Sequence, residues 1–318
     1  MFGRRSVSTG IDVGASSVKL VRREGTSAAD SVTHVGLAEW TPQAGRDPVA
    51  QAIAALKELL ERIGLGRSQL GTIAAAVGAD HVSLREVTLP LLKEAELRRA
   101  LPFEAKRYLF LEEIQSPVFD AQILGTTPAE AGENPMMRTL LAAADNSERH
   151  KLLKILNGMG LEPAVIDAAP LAGLNALLAH EPVSSDDRAA GLVDLGTTSV
   201  RLHITHPQGG LLTRRMEAIS SGDVEAFTKK LADGLKSTLT YYRGRHRHEV
   251  GKIHLVGGGT LLDGLPKMLE DLMGSEVAVF DPLSRFAGSK NWAQIISGAG
   301  PRFVTAYGLS LRPDALHV

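Results

Sequence analysis

Ile11-Asp12-Val13-Gly14-Ala15-Ser16-Ser17-Val18-Lys19-Leu20 aligns without a gap with Val193-Asp194-Leu195-Gly196-Thr197-Thr198-Ser199-Val200-Arg201-Leu202. Five of the ten positions are identical and the others match in size or charge. Each copy reads as an apolar strand, a tight turn of small residues and an alternating strand. A turn built from Gly, Ser and Thr lets backbone N–H groups approach an anion closely. The aspartate before each turn is placed to hold a magnesium ion through water. One such hairpin is as readily an ordinary β-turn. Two matching copies, each opening an α/β segment, predict two related units whose turns face each other across a phosphate.

A third glycine loop extends this reading. Lys252-Ile253-His254-Leu255-Val256 reads as a strand running into Gly257-Gly258-Gly259, and an amphipathic helix is expected from Thr260 to about Met273. Glycines permit positive φ and close backbone approach, and a helix start favours anions. The candidate ligand-contacting residues are therefore Asp12, Gly14, Ala15, Ser16, Ser17 and Lys19 in the first hairpin. Asp194, Gly196, Thr197 and Thr198 follow in the second, and Gly257, Gly258, Gly259 and Leu262 in the third loop.

Composition sets the bounds. The 318 residues are 44% hydrophobic and 22% charged, enough for two packed α/β units. Lys and Arg number 35 against 36 acids, so there is no broad basic footprint for nucleic acid. No cysteine is present, which excludes disulfides, thiolate metal sites and cysteine nucleophiles. No run reaches the roughly 18 apolar residues of a membrane helix, and Met1–Thr9 lacks the apolar core of a signal peptide. A cytoplasmic protein is expected. Asp47-Pro48 reads as an N-cap and first-turn proline, starting a helix whose stripe Ile53, Leu56, Leu60 and Ile63 is core. The basic run Arg243-Gly244-Arg245-His246-Arg247-His248 follows an expected helix over Val224–Tyr242. It reads as a solvated helix end or as a contact for a partner or lipid headgroup.

Asp12–Leu20, Asp194–Leu202 and Gly257–Pro266 resemble the two phosphate motifs and the adenosine motif of the actin/FtsA superfamily. Within it the chain resembles the PilM family of type IV pilus assembly proteins, over nearly its whole length. The resemblance implies a two-lobed, actin-like (ribonuclease H-like) α/β fold with a small inserted subdomain. It places residues 1–84, 139–170 and 300–318 in the first lobe, 85–138 in the insert and 171–299 in the second lobe. Glu94–Tyr108 is similar to the helix that opens the insert, and Leu140–Ala144 to the return into the first lobe. The stretch Glu181–Arg188 reads as an exposed connector between lobes. ATP and magnesium are the implied ligands. The implied partner is the N-terminal cytoplasmic tail of a PilN-like single-pass inner-membrane protein. That tail enters a groove beside the insert, where Phe103, Tyr108 and Phe110 concentrate aromatic surface. The resemblance thus implies a location at the inner face of the inner membrane, held there through partners.

Two departures bear on chemistry. Ala169 stands where the superfamily often carries a glutamate that positions metal-bound water, and alanine can neither accept a proton nor orient water. Asp167, two residues earlier, is a possible substitute. The chain also runs from Arg214–Gly222 almost directly into the Val224 helix, leaving no room for the subdomain that walls the adenine in related proteins. A scaffold with weak or vestigial ATP binding and little hydrolysis is expected, with no catalytic residue assigned. The alternatives are an active kinase or ATPase of the same superfamily, or an FtsA-like filament protein.

Overall fold

A computed structural model describes residues 6–25, 31–127, 134–182, 188–216, 223–286 and 298–312. The expected connector between lobes, at 181–188, and the stretch from 217 to 222 thus fall wholly or largely outside the described residues.

The two hairpins each nucleate a five-stranded sheet. Strands β1 (Ser6–Val13), β2 (Ser17–Gly25) and β3 (Ser31–Glu39) form an antiparallel meander. Helix α1 (Pro48–Ile63) then crosses to β4 (Thr72–Val77), which runs parallel to β1. A separate antiparallel sheet follows, made of β5 (Val82–Pro90), β6 (Pro117–Thr127) and β7 (Met136–Asp145), with α2 (Glu94–Tyr108) packed on it. After α3 (Asn146–Gly158), β8 (Val165–Ala168) adds in parallel to β4, giving the order β3-β2-β1-β4-β8.

Helix α4 (Ala169–His180) leads to β9 (Arg188–Leu195), β10 (Val200–Thr205) and β11 (Leu212–Met216), again an antiparallel meander. The long α5 (Val224–His246), β12 (Glu249–Val256), α6 (Leu265–Met273) and β13 (Val277–Val279) complete the order β11-β10-β9-β12-β13. Both sheets thus have the same plan, three antiparallel strands flanked by two parallel ones, as the repeat requires. Helix α7 (Val304–Leu311) closes the chain's described part.

Local chemistry explains the starts and stops. Asp47 Oδ1 accepts from the Val49 N–H at 2.9 Å, Pro48 sits at the first helical position, and Gly64 ends α1 at φ 69°. Asp145 caps α3 through the Ser147 N–H at 2.8 Å, and Asp223 caps α5 through Ala226.

The helices make layers. α1 and α3 cover the outer face of the first sheet, where Leu56, Leu59, Ile73 and Leu156 meet. α5 covers the outer face of the second sheet with Phe227, Leu231 and Leu235, joined by Leu265 and Leu269 of α6. α4 and α7 lie between the sheets, in a core that joins Val21 and Val35 of the first lobe to Leu192 and Val256 of the second.

Two expectations need correction here. Leu140–Ala144 does not return to the first lobe. It belongs to β7, which is bonded to β5 on one side and β6 on the other. Its run is apolar at successive positions, as in a strand covered on both faces, and such a run cannot reveal which sheet it joins. The amphipathic helix after the third glycine loop does not begin at Thr260. A single 3-10 turn spans Gly258–Leu261, Leu262 is extended, and α6 starts at Leu265 next to Pro266. Gly264, at φ 74°, separates the two.

The close approach of α7 to its neighbours rests on glycine. A Cβ on Gly308 would overlap the Ala172 carbonyl oxygen of α4, and one on Gly10 would overlap the Ala306 carbonyl oxygen of α7. Backbone atoms in a packed core have little room to retreat. Gly308→Ala is therefore expected to destabilise the fold by about 2–3 kcal/mol, measured by urea unfolding, whereas Gly258→Ala, which meets open space, leaves the midpoint nearly unchanged.

Candidate functional site: the cleft between the lobes

The two hairpin turns and the third glycine loop open on one cleft of about 320 Å³. Asp12, Gly14, Ala15, Ser16, Ser17 and Lys19 line it from the first lobe, and Asp194, Gly196, Thr197 and Thr198 from the second. Gly257 and Gly258 join them, while Gly259 and Leu262 do not line the cleft. Gly259 is buried, and Leu262 packs on the core beneath α5 and α6 because the 3-10 turn rotates it inward.

Each turn has a reason to be made of small residues. The Gly14 N–H donates to the Ser17 carbonyl at 2.9 Å, closing the first turn. A Cβ on Gly196 would lie 2.8 Å from the Ser199 carbonyl oxygen. Gly257 adopts φ 86°, and a Cβ there would sit 2.6 Å from Asp194 Oδ1, so only glycine lets the third loop touch the second aspartate. Trp40 also lines the cleft, and its backbone N–H donates to the Ser16 carbonyl at 2.9 Å.

The two repeats differ in how they treat their aspartates. In the first, Lys19 is the strand partner of Asp12 and its ammonium lies 3.0 Å from Asp12 Oδ2. In the second, Arg201 is the strand partner of Asp194, but its guanidinium turns to the opposite lobe. Arg201 Nη2 lies 2.5 Å from Asp80 Oδ1 and Nε 3.1 Å, while Ser199 Oγ donates to Asp80 Oδ2 at 2.9 Å. Asp80 stands just after β4, so these bonds join the lobes across the cleft. Burial raises its pKa, but the bonds from Arg201 and Ser199 outweigh that and hold it below the usual carboxylate value. Arg215 approaches Asp80 at 3.9 Å and Glu113, after α2, at 3.8 Å, drawing the small unit into the same charge cluster.

Asp194 is left without a hydrogen bond or ion pair among the described residues. Desolvation pushes its pKa up to about 6, with Asp12 and Asp80 adding to the rise and Lys19 and Arg201 opposing it. An uncompensated carboxylate beside two phosphate-type turns has the chemistry to attract a hard divalent cation.

The resemblance sets Ala169 at the superfamily's acid position. Ala169 opens α4 and lines the cleft. Asp167 does not substitute for it. Its carboxylate is buried on β8 and pairs with Arg312 Nε at 2.8 Å, beyond the end of α7. Burial raises its pKa, partly offset by Arg312 and by the Ala168 N–H. β8 ends at Ala168 and Ala169 already opens α4, so the two-residue spacing from Asp167 does not put its carboxylate at the Ala169 position.

Asp80 escaped the sequence reading. A lone aspartate after a strand ending Val77-Gly78 carries no motif, and only the fold brings it to Arg201. His81, Glu148 and Lys151 at the cleft were missed for the same reason.

Two lobes of matching topology, with paired glycine–aspartate hairpins on a shared cleft, define the class of actin-like ATPase folds. The chain belongs to the family of type IV pilus assembly protein PilM, whose family model matches residues 10–218 and 217–314. Among solved structures it is similar to the PilM-PilN type IV pilus biogenesis complex, at 26% identity and a TM-score of 0.76, over 96% of this chain and 98% of that one. The ethanolamine utilization protein EutJ from Carboxydothermus hydrogenoformans shares the fold at 15% identity and a TM-score of 0.52, over 96% and 89%. So does a diol dehydratase-reactivating factor in nucleotide free form, at 11% and 0.53, over 98% and 100%. A comparison with curated proteins finds no match.

Two outcomes follow from the charge pattern. The folded state holds the Asp194 proton more firmly than the unfolded chain, so its cost to stability grows as pH rises from about 4 to 6 and is fully present above that. Asp194→Asn is expected to raise the melting temperature at pH 8 by a few degrees, with the gain shrinking toward pH 4. Asp80→Ala removes the bond between the lobes, and faster hydrogen exchange in β10 and in residues 78–81 is the expected result, with little change in α1.

Proposed function

We propose that this protein is a cytoplasmic scaffold of a type IV pilus, or a related secretion, assembly platform. It receives the N-terminal tail of a PilN-like single-pass inner-membrane protein and binds ATP weakly with little hydrolysis. No helix among the described residues is long and apolar enough to cross a membrane, so the proposed place at the inner membrane comes through that partner.

The observation that carries the partner half is the aromatic surface of the small unit. Phe103 on α2 is 77% exposed and Phe110, just beyond it, 79%. Large apolar side chains left in solvent mark contact sites. Tyr108, the third residue of the expected surface, is half-buried in the core of the small sheet. Its carbonyl accepts from Arg85 at 2.8 Å, so it supports the surface more than it offers itself. The similar solved structure is a complex with PilN, which supports a tail of that kind as the occupant.

The nucleotide half rests on the cleft. Both phosphate-type turns are present, and Asp12 and Asp194 would hold magnesium through water, where the ion would screen phosphate charge. Ala169 gives no base or water-orienting group, and Asp167 is committed to Arg312. The adenine side is thin, because β11 ends at Met216 and α5 begins at Val224. Tight binding and fast turnover need what is missing there.

A synthetic peptide of the partner's tail is expected to bind with an affinity that falls about tenfold or more for Phe103→Ala or Phe110→Ala, read by fluorescence anisotropy. Unchanged affinity in both variants would remove the partner reading. Magnesium-dependent phosphate release well above that of an Asp12→Asn, Asp194→Asn double variant would replace the scaffold with an active ATPase.

A further inference from the structure

The basic run Arg243–His248 takes no part in the cleft or the aromatic surface. α5 continues past Tyr242 to His246, so the run forms its last turn and C-cap, with Arg243 and Arg247 exposed as at a solvated helix end. Arg245, His246 and His248 line a groove of about 440 Å³ between the second lobe and the small unit. Arg85 of β5 and Arg138 of β7 come from the other wall, and the turn Gln208-Gly209-Gly210 completes the lining.

One carboxylate lines this groove, and its oxygens are taken. Glu86 Oε2 accepts from the backbone N–H groups of Gly210 and Leu211, at 2.9 and 3.3 Å, and Oε1 lies 2.9 Å from Arg138 Nε. That leaves two cations on opposite walls. Among the described residues neither Arg85 nor Arg245 has a carboxylate at ion-pair distance. Arg85 donates one N–H to the Tyr108 carbonyl and lies 6.0 Å from the centre of the Phe110 ring. Four of its five donors remain, and the guanidinium is always charged.

We infer that this groove is a binding site for a small phosphate-bearing polyanion, held between Arg85 of the small unit and Arg245 of α5. Donors that converge from separate walls suit a tetrahedral phosphate, whose oxygens accept in several directions, better than a planar carboxylate. Two facing walls favour a free small molecule over a flat lipid surface. An anion there bridges the small unit and the second lobe, which Glu86 and Arg138 already join through the turn at 207–211.

Inorganic tripolyphosphate is the probe, titrated calorimetrically into the full chain at low salt with EDTA, which silences magnesium-dependent binding in the interlobe cleft. Saturable one-to-one binding is expected, weakened about tenfold or more by Arg245→Glu or Arg85→Ala, partly kept by Arg245→Lys and little changed by Lys19→Glu. Arg245 is exposed, so its variant should fold normally, and circular dichroism checks this. Absence of saturable binding, or loss in Lys19→Glu alone, overturns the site. Flotation of the protein with phosphatidylglycerol vesicles that tripolyphosphate does not compete assigns the basic run to lipid headgroups and overturns it as well.

Discussion

Two short helices, α4 and α7, lie between the large sheets, and at Gly308 and Ala172 their backbones approach so closely that a methyl group has no room. Everything on either side is referred to this contact. α7 packs on β1, which carries Asp12, while Leu174 and Leu177 of α4 reach the second lobe near Leu192 of β9, two residues before Asp194. The separation of the two aspartates is therefore fixed by helix packing as much as by the turns. Ser8, Arg23 and Ser310 reinforce the same seam, with the Ser310 carbonyl accepting from both of the others.

Around that seam the repeat is symmetric in topology and asymmetric in charge. Lys19 neutralises its own aspartate, whereas Arg201 abandons its own to bond with Asp80. The first hairpin is thus satisfied within its lobe, and the second is satisfied only by reaching across the cleft. Asp194 carries the cost as a raised pKa. Carboxylates shifted in this way by burial and like charges cluster at functional sites.

The architecture was legible because it is written twice. A gapless ten-residue match, with the same small residues in each turn, can be read without coordinates, and so can the caps at Asp47 and Pro48. The absence of an acid at Ala169 was equally readable. What escaped was whatever depends on distant segments meeting. Asp80 and Arg201 are 121 residues apart and neither belongs to a motif alone. Asp167 looked available because Arg312, just past α7, meets it only in the fold. Leu140–Ala144 has the pattern of a buried strand in any sheet, so pattern alone misassigned it. Gly259 and Leu262 followed from an assumed helix that a 3-10 turn replaces.

Trp40 gives the molecule an optical property of its own. The sequence holds two tryptophans, and this one lines the cleft with its backbone tied to Ser16 of the first turn. Indole emission shifts with the polarity and order of its surroundings. A Trp292→Phe chain would therefore carry a single tryptophan, at the mouth of the first hairpin, and its emission on selective indole excitation would register any rearrangement of that turn without an added label.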